Sequence, residues 1–178
     1  LLRDSLSEMR RVLRPGGHMY LFFAIQHYQM IDVELCCTFR QGKFLDGAYE
    51  YQITPNMWIK SSNENYKPYH RFCVNYEPFF FAWKGKMREF TKPSNCTMQF
   101  DIDRKKEDRQ HPAQKPQALY EHLIELSSHK GMVVLDPFLG SGISLAVAKR
   151  MGRNIIGIEK EESWFQLATH NLHEIGGS

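Results

Sequence analysis

Apolar residues recur at helical spacing in the first part of the chain. Leu6 and Leu13 fall on one face of a helix predicted over residues 4–14, and arginines near its C-terminal end suit the helix dipole. Pro15-Gly16-Gly17 ends this helix. The apolar, aromatic run from His18 to Ala24 then predicts a buried strand. A helix, a tight turn and a buried strand in this order indicate an α/β sheet.

The middle of the chain is less regular. Three segments have strand-like patterns, and they lie at residues 32–39, 49–60 and 72–83. The first two flank a turn predicted at Asp46-Gly47, and the polar residues 61–70 predict a loop. Residues 84–110 are rich in charge, and the densest run, at 104–109, predicts a solvated surface segment.

The last third of the chain has the clearest alternation of elements. Pro116 is placed to begin a helix that continues to about Ser128. The elements that follow are a strand at 132–135, a loop at 136–142, a helix at 143–151, a strand at 154–158 and a helix at 161–173. This order predicts one right-handed parallel unit of a doubly wound sheet.

A glycine loop (Gly140-Ser141-Gly142) follows the first of these strands, where such sheets bind ligands. Its glycines allow close backbone approach, and the free N–H groups of the next helix attract negative charge. Glu159 ends the neighbouring strand, where a carboxylate can accept hydrogen bonds from ribose hydroxyls. A dinucleotide fingerprint would need a third glycine in place of Leu145. We therefore predict an adenosine cofactor without a pyrophosphate, S-adenosyl-L-methionine first; the alternative is a plain tight turn beside a surface glutamate.

Composition changes this interpretation little. A net charge of +3 permits nucleic-acid binding without requiring it. The cysteines at 36, 37, 73 and 96 lack zinc-ligand spacing, so we predict no metal site and reduced thiols in a cytoplasmic protein. No apolar run approaches the ~20 residues of a membrane span.

Three strings carry a family resemblance. They are HPAQKP at residues 111–116, LDPFLGSG at 135–142 and GRNIIGIE at 152–159. In this order they resemble the beta group of DNA amino-methyltransferases, with its motifs HPTQKP and LDPF-x-GSGT. EMRRVLRPGG at 8–17 is similar to the helix and turn that follow this family's catalytic motif. The resemblance implies a Rossmann-like, doubly wound methyltransferase sheet that is circularly permuted and lacks its N-terminal strands.

The resemblance also assigns eight cofactor-binding residues. They are Lys115, Pro116, Asp136, Phe138, Gly140, Ser141, Gly142 and Glu159. Asp136 and Phe138 would line the methionine and sulfonium side of the pocket, and the glycine loop would lie against the cofactor backbone. Glu159 would hold the ribose hydroxyls, and Lys115 and Pro116 would close the pocket.

The same resemblance divides the chain and names its partners. Residues 1–60 and 111–178 would belong to one α/β domain, the latter binding S-adenosyl-L-methionine, with target recognition at 61–110. Lys, Arg and aromatic side chains of residues 61–110 would contact double-stranded DNA with a flipped target base. A restriction enzyme or a second copy of the chain would be a further partner, and a membrane would not.

Three positions or motifs depart from the family pattern. Ala113 and Ile143 stand where the family has threonines, and Ser144 is placed to replace the second hydroxyl. The chain contains no Pro-Pro, although the family holds the target amine with an Asp, Asn or Ser followed by two prolines and an aromatic residue. We therefore assign no catalytic residue and expect that motif upstream of Leu1.

Three functions remain open from the sequence. The first is methyl transfer to N6 of adenine or N4 of cytosine by an enzyme of which this chain is a C-terminal portion, inactive alone. The second is a non-catalytic S-adenosylmethionine- or DNA-binding module, or one half of a split enzyme. The third is a dinucleotide oxidoreductase, which the missing third glycine and the HPAQKP string disfavour.

Overall fold

A computed structural model describes residues 2–39, 49–60, 74–100 and 114–174. The chain forms two compact units, one of residues 1–90 with 94–99 and the other of residues 91–93 with 100–178. The first unit contains α1 (Leu2–Val12), β1 (His18–Phe22), a 3₁₀ turn (Ile25–His27), α2 (Tyr28–Thr38), β2 (Asn56–Ile59), β3 (Tyr76–Trp83) and β4 (Thr97–Gln99). The second contains α3 (Gln117–Ser127), β5 (Val133–Asp136), α4 (Ile143–Arg150), β6 (Asn154–Gly157) and α5 (Glu162–Glu174). Within the described ranges, no helix is long and apolar enough to cross a membrane.

The first unit is built on a four-stranded sheet of order β1-β3-β2-β4. Strand β3 runs antiparallel to both neighbours, and β4 runs parallel to β2. Phe80 of β3 packs in one buried cluster with Leu6 of α1 and Leu35 of α2. The strands predicted around residues 18–24 and 72–83 are confirmed as β1 and β3, with 72 and 73 outside the described residues.

The prediction of a strand at 32–39 is wrong, because these residues belong to helix α2 and its end. Ile31, Val33 and Leu35 alternate as in a strand, but Ile31, Leu35 and Phe39 also recur at helical spacing. The structure buries the helical set and leaves Val33 56% exposed. Both periods fit this short apolar segment, and packing against α1 selects the helix.

The other predictions for the middle of the chain are confirmed only in part. Of the strand-like segment 49–60, only Asn56–Ile59 forms a strand, while Tyr51 makes an isolated bridge to Ala82. The short strand β4 was not predicted, because its segment 84–110 is dominated by charge. The turn at 46–47 and the loop at 61–70 lie outside the described residues.

The second unit confirms the predicted parallel arrangement. Strands β5 and β6 pair in parallel, Leu135 opposite Ile156, and α4 connects them. Val134 and Ile155 pack on one face of this pair against the buried residues of α4 and α5. The other face carries Leu135 and Ile156, the latter 54% exposed. The α/β class is confirmed, while the permutation and the missing strands remain predictions.

Candidate cofactor site

The glycine loop lies beyond the C-terminal end of β5, after residues 137–139. Gly140 and Gly142 have φ angles of +54° and +75°, which favour glycine because a Cβ is strained there. At Gly142 a Cβ would also lie 2.7 Å from the Cβ of Ala168 in α5. The absence of a side chain at this position therefore lets the loop pass close to α5 before α4 begins.

Asp136, the last residue of β5, is held by two donors. Its Oδ1 accepts a hydrogen bond from the Phe138 backbone N–H at 3.1 Å, and its Oδ2 accepts one from the Ser144 hydroxyl. Ser144 lies in the first turn of α4, next to Ile143, which is buried in the core with Val147. Ser144 thus places a hydroxyl against Asp136 while Ile143 contributes to packing; that this hydroxyl replaces a threonine at 143 stays a prediction.

Glu159 joins the glycine loop to the start of α5. Its Oε2 accepts a hydrogen bond from the Gly140 N–H at 2.7 Å. Its Oε1 accepts from the backbone N–H groups of Lys160 and Glu161, at 2.7 and 2.9 Å. The sequence placed Glu159 beside the loop for a ribose, and the structure adds that its carboxylate fixes the loop itself.

The loop also contacts a buried amide that sequence reasoning missed. The Asn171 side-chain Nδ2 of α5 donates a hydrogen bond to the Ser141 carbonyl oxygen at 2.8 Å. Ser141 is buried, and Asn171 is only 3% exposed. The one available signal was an asparagine between Ala168 and Leu172 on the apolar face of the last helix.

The remaining predicted site residues differ in exposure. Phe138 presents its ring to solvent, 66% exposed, next to the glycine loop. Lys115 and Pro116 are buried and precede α3, which packs against α4. Hydrogen bonds thus link Asp136, the glycine loop and Glu159 to their neighbours.

No metal-binding arrangement accompanies this loop in the part of the chain that the structure describes. Histidine, cysteine, aspartate and glutamate side chains do not converge there in groups of three or more. The polar groups at the site are instead backbone N–H groups, two carboxylates, a hydroxyl and an amide. Such a set suits an organic cofactor that carries hydroxyls and charged groups.

The parallel strands, the glycine loop and the acid after the next strand define a nucleotide-binding type of α/β protein. Residues 1–170 match the family model described as DNA methylase, so the chain belongs to that family.

Three relatives show how far the similarity extends. The type II methyltransferase M.HinfI of Haemophilus influenzae is 29% identical over an alignment of 189 positions that covers 96% of this chain and 50% of the relative. M.HpaI of Haemophilus parainfluenzae is 28% identical, over 95% of this chain and 57% of its own length. The crystal structure of the M1.HpyAVI–SAM complex superposes with a TM-score of 0.75 at 26% identity, over 96% of this chain and 81% of that one. The chain spans about half the length of the curated relatives it matches.

These similarities confirm two predictions. The resemblance to amino-methyltransferases is confirmed by the family match and by the type II methyltransferases among the relatives. The predicted cofactor is the one named in the complex of M1.HpyAVI, which bears out S-adenosyl-L-methionine for this family. The roles of the individual site residues stay predictions.

Proposed function

We propose that this chain is the S-adenosylmethionine-binding portion of a DNA methyltransferase that modifies an exocyclic amine, N6 of adenine or N4 of cytosine. The observation that carries the proposal is the Gly140 N–H bond to Glu159, which joins the glycine loop to the acid that follows the next strand. This arrangement stands at the carboxyl ends of two parallel strands, where sheets of this kind bind their ligands.

The residues present suit the chemical groups of this cofactor. The positive φ angles at Gly140 and Gly142 and the N-terminus of α4 allow the backbone to approach it closely. Asp136 would face its cationic methionine part, with the carboxylate held in place by Phe138 N–H and Ser144. The exposed ring of Phe138 would cover the sulfonium side, and Glu159 would accept hydrogen bonds from the ribose.

Two further elements complete the proposed pocket and its chemistry. Lys115 and Pro116 would close it from the segment before α3. The cofactor supplies a methyl group on a positively charged sulfur. The contribution of this chain is to orient it and to limit the access of water, because effective transfer depends on alignment of the reacting atoms.

The handling of DNA is proposed on the sequence alone. The chain lacks a Pro-Pro, so the group that would hold the target amine is expected to come from polypeptide outside these 178 residues. Segment 61–110 would contact double-stranded DNA around a flipped base. A restriction enzyme or a second copy of the chain would be a further partner. The missing motif equally supports a second candidate, a module that binds the cofactor or DNA without catalysis.

Cofactor binding is the direct test of the proposed site. Isothermal titration calorimetry is expected to show binding of S-adenosyl-L-methionine by the chain and none of NAD. Glu159→Gln is expected to weaken binding about tenfold or more, because an amide offers fewer acceptor positions to the loop and to a ribose. The control is Glu161→Gln, which neutralises an exposed carboxylate two residues away and should leave affinity unchanged. Binding of NAD alone, or equal affinities of the two variants, would contradict the assignment.

Methyl transfer separates the two candidate functions. The chain alone is expected to transfer no radioactive methyl group to DNA. Addition of a polypeptide that carries an Asp, Asn or Ser followed by Pro-Pro and an aromatic residue should restore transfer. Transfer by the chain alone would contradict the proposed need for that motif, and cofactor binding that never leads to transfer would favour the non-catalytic module.

A further inference from the structure

We propose that Asn171 is a positioning residue for cofactor binding, acting through the carbonyl group of Ser141. This inference rests on the proposed function, because it concerns the affinity of the glycine loop for S-adenosyl-L-methionine. The Nδ2 of Asn171 donates to the Ser141 carbonyl oxygen at 2.8 Å, across 30 residues of sequence. Asn171 lies in α5 and Ser141 lies in the loop before α4, so the bond connects the loop to a separate element.

Burial makes this hydrogen bond consequential. Asn171 and Ser141 are both buried, and a buried amide or carbonyl without a partner is costly. Removal of the Nδ2 donor would leave the Ser141 carbonyl without this bond. Other orientations of this carbonyl would then become more favourable, and the two positive-φ glycines of the loop permit the rotation.

The segment from Glu159 to Asn171 contacts all three residues of the glycine loop. Glu159 accepts the Gly140 N–H bond, Asn171 bonds to Ser141, and Ala168 packs against Gly142 at a distance that excludes a Cβ. Ala168 and Asn171 lie three positions apart, on one face of α5. Helix α5 therefore acts as a template against which the loop conformation is set.

A loop held in one conformation binds more tightly than a loop that samples several. If the binding-competent conformation is only fractionally populated, the apparent affinity falls by that fraction. Loss of one of the three contacts should lower cofactor affinity while the helices and strands stay folded. This distinguishes a positioning residue from one that only adds to stability.

Three substitutions at position 171 test the role. Asn171→Leu removes the donor at similar volume, and Asn171→Asp replaces the donor with an oxygen that faces the carbonyl. Both are expected to weaken S-adenosyl-L-methionine binding by about tenfold in calorimetry, well below their melting temperatures. Asn171→Gln, which retains an amide donor, should recover much of the affinity. Should one variant fail to fold, the other two still test the bond.

A matched control and an independent signal complete the experiment. Ser128→Ala removes a buried hydroxyl that bonds Arg153 and Ile124 in the same unit, and should lower the melting temperature without changing affinity. In cofactor-free protein, the amide NMR signals of Gly140 and Gly142 should move in Asn171→Leu and stay in place in Ser128→Ala. Wild-type binding with unchanged affinity and unchanged signals in the Asn171 variants would overturn this inference alone. Absence of binding by the wild-type chain would instead overturn the proposed function, and this inference with it.

Discussion

Each of the two compact units holds an irregular segment with a carboxylate that accepts a glycine N–H, but one unit adds close packing against a helix and the other adds a buried ion pair. In the second unit, the glycine loop is fixed by a close approach of Gly142 to Ala168 and by hydrogen bonds to its backbone. In the first unit, the turn after β3 is fixed by a buried carboxylate. Glu50 is 2% exposed, and it accepts hydrogen bonds from the Arg10 guanidinium at 2.7 and 3.0 Å and from the Gly85 N–H at 2.6 Å.

This difference predicts different sensitivities to substitution. The glycine loop is expected to be destabilised when a side chain is added at Gly142, because Ala168 of α5 already fills that space. The turn held by Glu50 is expected to be destabilised when one charge of the Arg10–Glu50 pair is removed, because the remaining charge is left without its partner. Each unit therefore offers one substitution that should be costly and one closely similar substitution that should cost less.

The largest effect is expected at Gly142. Gly142→Ala adds a Cβ 2.7 Å from Ala168 and places alanine at a φ of +75°. Left-handed strain and overpacking together should lower the free energy of unfolding by about 2–5 kcal/mol, measured by urea denaturation. The control is Gly131→Ala, at a φ of +80° with no neighbour within 4 Å, which carries the strain alone. Equal losses at the two glycines would show that the approach to α5 is unimportant.

In the first unit, the corresponding test removes the charge of Glu50. Glu50→Gln keeps the shape of the side chain but leaves the Arg10 guanidinium without its buried carboxylate. We expect a loss of about 1–3 kcal/mol in the free energy of unfolding. Glu34→Gln breaks a pair with Arg3, whose side chain is 62% exposed, and should change stability by less than about 1 kcal/mol. A larger loss at Glu34 than at Glu50 would invalidate the comparison.

The sequence predicted the second unit better than the first for a physical reason. The alternation of β5, α4, β6 and α5 is local, since each element has its own period and its own breaker residues. The candidate loop and Glu159 follow from this order. The contacts that hold them do not, because Asn171 meets Ser141 across 30 residues and Ser144 meets Asp136 only once α4 has formed.

The first unit depends more on contacts that no local pattern encodes. The segment of helix α2 from residue 32 was predicted as a strand because its apolar residues alternate as in a strand. Ile31, Leu35 and Phe39 also recur at helical spacing, and only packing decides which set is buried. The Arg10–Glu50 pair spans 40 residues and links α1 to the segment before β2. Arginine and glutamate are usually found on the surface, so the sequence did not indicate that Arg10 and Glu50 form a buried pair.

The smallest expected effect concerns histidines, and it extends the comparison to pH. Burial lowers the pKa of His18 in the first unit, the charge of Arg88 lowers it further, and a hydrogen bond to the Arg88 carbonyl partly opposes both. Burial likewise lowers the pKa of His122 in the second unit, together with the charge of Lys92. As the pH falls below about 6.5, the unfolded chain takes up these protons before the folded chain does. Stability is therefore complete above that pH and declines below it, towards the lowered folded-state pKa.

Replacement of His18 should reduce that decline. His18→Gln is expected to make the loss of melting temperature between pH 7.5 and pH 5.5 smaller, by the equivalent of less than about 1 kcal/mol because the ring is only partly buried. His27→Gln, at the exposed last residue of the 3₁₀ turn, serves as the control for the general effect of replacing a histidine by glutamine. His122→Gln should act in the same direction as His18→Gln, so the double variant should show the weakest pH dependence. If His18→Gln steepened the decline, the ring would have to be stabilised in its charged form, and the assigned effect of burial would be wrong.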